Sequence, residues 1–261
     1  MIPPESLGAP VGELLYVRHE HEQEFDKLHC ADLKVTVDLF RRIRTLVLQV
    51  GKKMHWDSLD LCDAMQQMNY AIEFLVSAFV MARQRARAEA FVLLRCTIEH
   101  GVTSVAIANI PALHKEYRRG RLDVKESLGE AKRRLPLLGR FYGQLSNEVV
   151  HPSVRAYGST THVDERGVPF QRVAIGPQRN VDPNRDRVTL VAVNFSTMLL
   201  HWAIGQAFFE DTPLLGTRRL KGAFEVCDGF PSAALVEKLY SEFDGLVRPA
   251  ASRHRMRPSR T

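Results

Sequence analysis

The chain has 261 residues, 45% of them hydrophobic, and a formal net charge of +6 at neutral pH. That apolar share is enough to bury a substantial core and excludes an intrinsically disordered chain. The charge excludes less than its size suggests: Arg248, Arg253, Arg255, Arg257 and Arg260 crowd residues 248–261, and the remainder is close to neutral. Residues 1–247 are expected to form a single domain. Residues 248–261, "RPAASRHRMRPSRT", read as a disordered basic tail that aids solubility or touches phosphates nonspecifically.

Cys30, Cys62, Cys96 and Cys227 are far apart and form no Cys-x-x-Cys pair, which predicts neither a zinc site nor a disulfide framework. The opening "MIPPESLGAPVGELL" has no positively charged start and no apolar signal core, and "FLVSAFVMA" is too short to span a bilayer. The expectation is a cytoplasmic protein that does not enter a membrane.

In chain order, "RHEHEQEFDKLH" comes first. Glu22, Asp26 and His29 could share one helical face as metal ligands, but no second ligand cluster supports them, and a charged solvated face is the better reading. Leu33, Phe40, Ile43, Val47 and Val50 then mark a long helix, with Gly51 as its expected C-cap. From Lys52 to His100 there is neither glycine nor proline, and Leu61, Met65, Met68, Ile72, Leu75 and Phe79 recur at steps of four and three. That spacing predicts a helix with a heptad-like seam, able to pair with the one before it. The basic run from Arg83 to Glu89 separates it from a third helix or continues into it. Ala88, Phe91, Leu94, Ile98, Val102 and Val105 form the apolar face of that third helix, which ends before Pro111.

"HKEYRRGRLDVKESLGEAKRRLP" reads as a solvated excursion of two short helical pieces broken at Gly120. A helix from about Leu137 to Val150 must stop at Pro152, because the residue before a proline is pushed out of the helical region. "STTHV", "DERG" and "VPFQRVAI" predict one hairpin over about residues 158–176. Val191, Phe195, Met198, Trp202 and Phe209 mark another long helix, and "PSAALVEKLYSEFDGLV" a final one. The expected fold is all-α, an irregular helical bundle with a small β-hairpin insert.

For chemistry, Arg140, Gln144, Asn147 and His151 fall at steps of four, three and four on one side of their helix, opposite Leu138, Phe141 and Leu145. Arg140 and Gln144 could bind a phosphate ester, Asn147 orient it and His151 move a proton. The same row is also what any surface helix shows opposite its apolar stripe, and a histidine at a helix C-terminus suits the dipole. Arg95 projects within the arc of Phe91, Ile98 and Val102, where a guanidinium needs a partner, and Glu99 one turn later can supply it. This pair either braces the bundle or lines a polar pocket. His201 in "LLHWA" reads as a hydrogen-bonded core histidine. A phosphate-binding glycine loop, a Gly-x-Ser-x-Gly elbow and a His-Glu-x-x-His pair are all absent, which argues against P-loop, α/β-hydrolase and zincin chemistry.

Arg95 and His100 spell "RCTIEH", an Arg-x4-His that resembles the signature of the HEPN ribonuclease superfamily. Arg155 with His162 and Arg248 with His254 share the allowed spacing, but only the first pair lies in a strongly marked helix. Cys96 stands where that family commonly has a polar residue. The resemblance implies a helical bundle that pairs with a second copy, and metal-independent RNA cleavage without a cofactor. In that chemistry Arg95 would stabilise phosphoryl charge and His100 would transfer a proton to or from the ribose 2′-hydroxyl. Residues 57–210 also resemble a set of bacterial helical proteins with an Arg-x3-Glu helix and a later Ser…His-Pro, here Arg95, Glu99, Ser146, His151 and Pro152. That likeness implies a polar centre of Arg95, Glu99 and His151. Two functions follow as expectations: a ribonuclease or degenerate relative acting on RNA as a bacterial toxin or defence component, or a non-catalytic module that dimerises or docks a partner protein.

Overall fold

A computed structural model describes residues 20–53, 58–149, 160–163, 169–172, 183–209 and 240–241. Among these the chain is predominantly helical, an all-α arrangement. Residues 20–28 form α1, and a turn at His29 leads into α2, Cys30–Lys53. Its buried seam is Thr36, Leu39, Ile43, Leu46 and Val50, with Phe40 and Val47 packed on the shoulder. The helix runs through Gly51 instead of ending on it. The space around Gly51 is open and its φ is not positive, so it costs only the entropy of a helical glycine. α2 lies along the last long helix, and it meets α3 where Phe40 sets its ring edge-on to Phe79 at 5.3 Å.

α3 (Leu59–Arg83) and α4 (Arg87–Asn109) form the most extensively packed pair. Leu61, Met68 and Leu75 alternate along α3 with Ala64, Ala71, Ala78 and Ala82, all buried. The large residues fill the seam, and the alanines between them let α4 approach closely. The two helices are separate, broken at Gln84 to Ala86. Ala86 N–H bonds Met81 O and Arg85 N–H bonds Ala82 O, a Schellman turn, with Arg85 left-handed at φ 56°. An arginine in that conformation costs about 1–2 kcal/mol relative to glycine, and its side chain supplies the compensation. Arg85 is buried, its Nε donating to Asp186 at 3.1 Å and its Nη1 to Glu24 at 2.7 Å.

The excursion after Pro111 is α5 (Pro111–Arg118) and α6 (Val124–Arg134), with Gly120 at φ 68° between them and Asp123 capping α6 through Lys125 N–H. It is not simply solvated: Ser127, Leu128 and Ala131 are buried and α6 packs on α4. Those small and apolar residues share one face of an otherwise charged helix. α7 (Pro136–Val149) packs on α4 through Leu138, Phe141 and Leu145. α8 (Pro183–Phe208) is buried from Val188 to His201 without a break, far beyond the expected stripe, because α2, α3 and α4 all lie against it. Phe195 of α8 sits between Phe141 and Tyr240, at 4.5 and 5.6 Å.

Arg87–Asn109 and Pro183–Phe208 are each long and apolar enough to cross a membrane, although 67% and 94% of their apolar windows lie buried within the protein. "FLVSAFVMA" therefore understated the longest apolar stretch. Within the expected hairpin, Thr160–Val163 and Pro169–Arg172 run antiparallel with Thr160 opposite Arg172. The "DERG" turn lies outside the described residues, so no complete hairpin insert is described. Residues 248–261 and most of the final helix also lie outside them.

The α4–α8 contact is closest at Gly101, where an added Cβ would stand 3.3 Å from Leu200 Cδ1 and 3.8 Å from Ala203 Cβ. Gly101→Leu is expected to cost about 1–3 kcal/mol by overpacking. Gly129→Ala, on an exposed turn of α6 with nothing within 4 Å, should stabilise by about 0.5–1 kcal/mol; paired denaturant melts test both. A second expectation concerns acid. Burial holds His201 down to about 4 from 6.5, with Arg42 adding opposed backbone and charge effects. The native state keeps it neutral while the unfolded chain takes up a proton. Its contribution is therefore whole above pH 6.5 and is lost as pH falls toward 4, on the order of 3 kcal/mol. Stability measured across that window should fall less steeply in His201→Leu, with the residual slope coming from His21 and His100, which burial also lowers.

Candidate functional site

The deeply packed half of α4, Gly101 to Asn109, is wholly buried. Its first half keeps one open ridge, with Glu89 and Val92 exposed and Arg95, Cys96, Glu99 and His100 half-buried. At 100° per residue Arg95 and His100 stand about 140° apart, on opposite shoulders of that ridge, with Cys96 and Glu99 between them. They do not converge on one point.

On the α7 shoulder, Arg95 Nε donates to Glu99 Oε1 at 2.8 Å and to the Tyr142 hydroxyl oxygen at 2.9 Å. The Tyr142 hydroxyl in turn donates to Glu99 Oε1 at 2.5 Å, and the Arg95 guanidinium carbon lies 5.2 Å from the Tyr142 ring centre. Burial works against the Arg95 charge, but the bonds from Glu99 and Tyr142 outweigh it and the guanidinium is held more firmly protonated than usual. Burial, followed by the bond to Glu99, pushes the Tyr142 phenol up to about 12, so it remains a hydrogen-bond donor at any ordinary pH. Both nitrogens at the tip of Arg95 are without a hydrogen bond among the described residues, and the side chain is 30% exposed. The arrangement fixes a guanidinium by its Nε side and leaves its two-nitrogen edge for an anion.

On the opposite shoulder His100 Nδ1 meets Gln67 Oε1 at 2.6 Å, and its ring stacks on Phe74 at 5.2 Å and lies 5.6 Å from Tyr70. Burial lowers its pKa, and Glu99 opposes that only in part. Burial raises the Cys96 thiol, again with help from Glu99, which keeps it a poor nucleophile.

Of the expected polar row on α7, Arg140 is exposed and Gln144 half-buried. The Asn147 side chain and His151 lie outside the described residues. The α7 residue that meets Arg95 is Tyr142, which falls off the row and was not singled out from sequence. The available signal was positional: Tyr142 follows Phe141 at the edge of the apolar stripe, where a phenol reaches from the interface to a charged neighbour. A second group also escaped notice, Asp63, Gln67, His114, Tyr117 and Arg118 between α3 and α5.

The charged face of α1 is only partly solvated, with Asp26 40% exposed and His29 buried. Asp26 accepts two bonds from Arg83, at 2.8 and 2.5 Å, Glu22 accepts from Gln84 at 2.7 Å, and His29 Nε2 lies 3.6 Å from Asp186 Oδ2. The acids of α1 pair with the basic elbow, which draws part of each run out of water. No group of three His, Cys, Asp or Glu is placed to hold a metal ion among the described residues.

No family model, no curated protein and no solved structure matches this chain.

With its charges 30% and 22% exposed, the Arg95 and Glu99 pair contributes little to stability. Arg95→Ala should cost roughly 1 kcal/mol, the scale of a partly exposed pair, and not the 3–5 kcal/mol of a buried ion left alone. Thermal melting of the variant decides between the two.

Proposed function

We propose that the protein is a HEPN-like, metal-independent ribonuclease or a degenerate relative of one, with RNA as its partner and Arg95 as a group that holds a phosphate of the strand. The observation that carries this reading is the Arg95 guanidinium itself, clamped through Nε by Glu99 and Tyr142 with its outer edge unbonded among the described residues. A clamp of this kind presets the cation, so little entropy is lost when an anion arrives, and two parallel N–H groups match two phosphoryl oxygens. Tyr142 and Glu99 are positioning residues. Proton transfer falls to His100, whose Nε2 is without a bond among the described residues, or to His151 beyond the end of α7. Cleavage of RNA by such a site needs only an internal nucleophile and proton transfer, which agrees with a role as a cytoplasmic toxin or defence component.

The second reading is a non-catalytic helical module that binds a second copy or a partner protein. It draws on Val76 and Val92, 48% and 44% exposed on the paired helices α3 and α4.

The test is cleavage of total RNA and tRNA in excess EDTA. Wild-type protein should cleave. Arg95→Gln and one of His100→Ala or His151→Ala should lower the rate by at least about 100-fold in variants that melt within a few degrees of wild type. A folded wild-type protein that leaves RNA intact would return the chain to the interaction-module reading.

A further inference from the structure

α5 brings a second set of ionisable groups to the same side of the ridge as His100. His114 Nε2 donates to Asp63 Oδ2 at 2.8 Å, and Arg118 Nη1 lies 3.4 Å from that carboxylate. One turn along α3 from Asp63, Gln67 donates through Nε2 to the Tyr117 oxygen at 2.7 Å and accepts through Oε1 from His100 Nδ1 at 2.6 Å. Tyr117 follows His114 by one turn on α5. The two imidazoles thus hang from neighbours one turn apart on α3, a spacing of about 5–6 Å between Cβ atoms, and Tyr117 closes the link from the α5 side.

The network also sets the tautomers. The amide nitrogen of Gln67 is committed to Tyr117, so its oxygen faces His100 and the His100 proton sits on Nδ1. Asp63 accepts only, so the His114 proton sits on Nε2. Each neutral ring therefore keeps one nitrogen, Nε2 of His100 and Nδ1 of His114, with a lone pair and no hydrogen bond among the described residues. Two rings fixed by one nitrogen and open at the other are what paired proton transfer requires.

We infer that His114, oriented by Asp63, is the catalytic partner of His100, the two forming the base and acid for cleavage of an RNA strand laid across the α4 ridge. This rests on the ribonuclease reading above. His100 Nε2 takes the proton of a ribose 2′-hydroxyl, O2′ forms a bond to phosphorus, and the bond from phosphorus to O5′ breaks. The departing O5′ takes its proton from Nδ1 of doubly protonated His114, whose charge Asp63 balances. The products are a 2′,3′-cyclic phosphate and a 5′-hydroxyl, and no water, metal or redox partner is consumed. The lowered pKa of His100 suits the base, since burial keeps the ring neutral and ready to accept. Asp63 is a positioning residue in this scheme.

The test compares wild type, His114→Gln and His114→Gly on an oligouridylate in EDTA, with end-group analysis and melting curves alongside. Wild type should leave 2′,3′-cyclic phosphate ends. His114→Gln should lose about 100-fold or more in rate at an unchanged melting temperature, and added imidazole should restore part of the rate to His114→Gly. Wild-type cleavage rates in folded His114→Gln overturn the inference while leaving the ribonuclease reading in place. So does a rate loss that follows a fall in melting temperature and is not rescued by imidazole. Intact oligouridylate after incubation with wild-type protein overturns that reading and this inference together.

Discussion

The described fold depends on how closely other helices can approach α4. α3, α5, α6, α7 and α8 all pack against it, and from Gly101 to Asn109 no position faces water. A helix can be enclosed to that degree only if its neighbours present small residues where they cross it. α3 does so with four alanines in its seam, and α4 does so itself with Gly101 under Leu200. Removing that much apolar surface from water supplies the main driving force for the bundle, at roughly 25 cal/mol per Å². It also fixes where chemistry can happen, because only the first half of α4 has a face left over.

That remaining ridge is bounded by polar networks of different character. On the α7 side a cation is held by a carboxylate and a phenol, and on the α3 and α5 side two imidazoles are held by an amide and a carboxylate. Asp63 and Gln67 are buried, the other members of the two networks half-buried, and each network fixes side chains that would otherwise sample several rotamers. Ordering half-exposed polar groups costs conformational entropy. The fold bears that cost twice, on the two flanks of one accessible strip of helix.

Long apolar periodicities were legible in the sequence, and with them the apolar stripes of α3, α4 and α8, although α8 starts at Pro183, eight residues ahead of the stripe read from Val191, and the sequence leaves the break between α3 and α4 open. Small residues were the blind spot. Ala64, Ala71, Ala78 and Ala82 carry too little apolar surface to stand out in a pattern read for leucine and phenylalanine, yet they set the helix separation. Arg95 with Glu99 was legible because both lie on one helix four residues apart. Tyr142 was not, since its meeting with Arg95 depends on how α7 crosses α4, which no local pattern encodes. Asp63 with His114 and Asp26 with Arg83 are long-range pairs of the same kind. The expectation that Glu22, Asp26 and His29 share a solvated face holds only in part, because charge was weighed one helix at a time, while their partners lie on the elbow and on α8. Ser146, named in the resemblance, turns its hydroxyl to the Tyr142 carbonyl, a bond within its own helix.

The left-handed arginine at the elbow bears on the order in which the chain comes together. Its two carboxylate partners lie 61 and 101 residues away, so neither is at hand when α3 and α4 first meet. The helical hairpin can close on local contacts alone, which are the cheapest in loop entropy, but its turn carries an uncompensated strain until both ends of the bundle arrive. α1 and the start of α8 each bring one carboxylate to that cation. One residue of the α3–α4 turn thus ties together segments from both ends of the described chain, and its backbone cost is offset in full only where both carboxylates are docked.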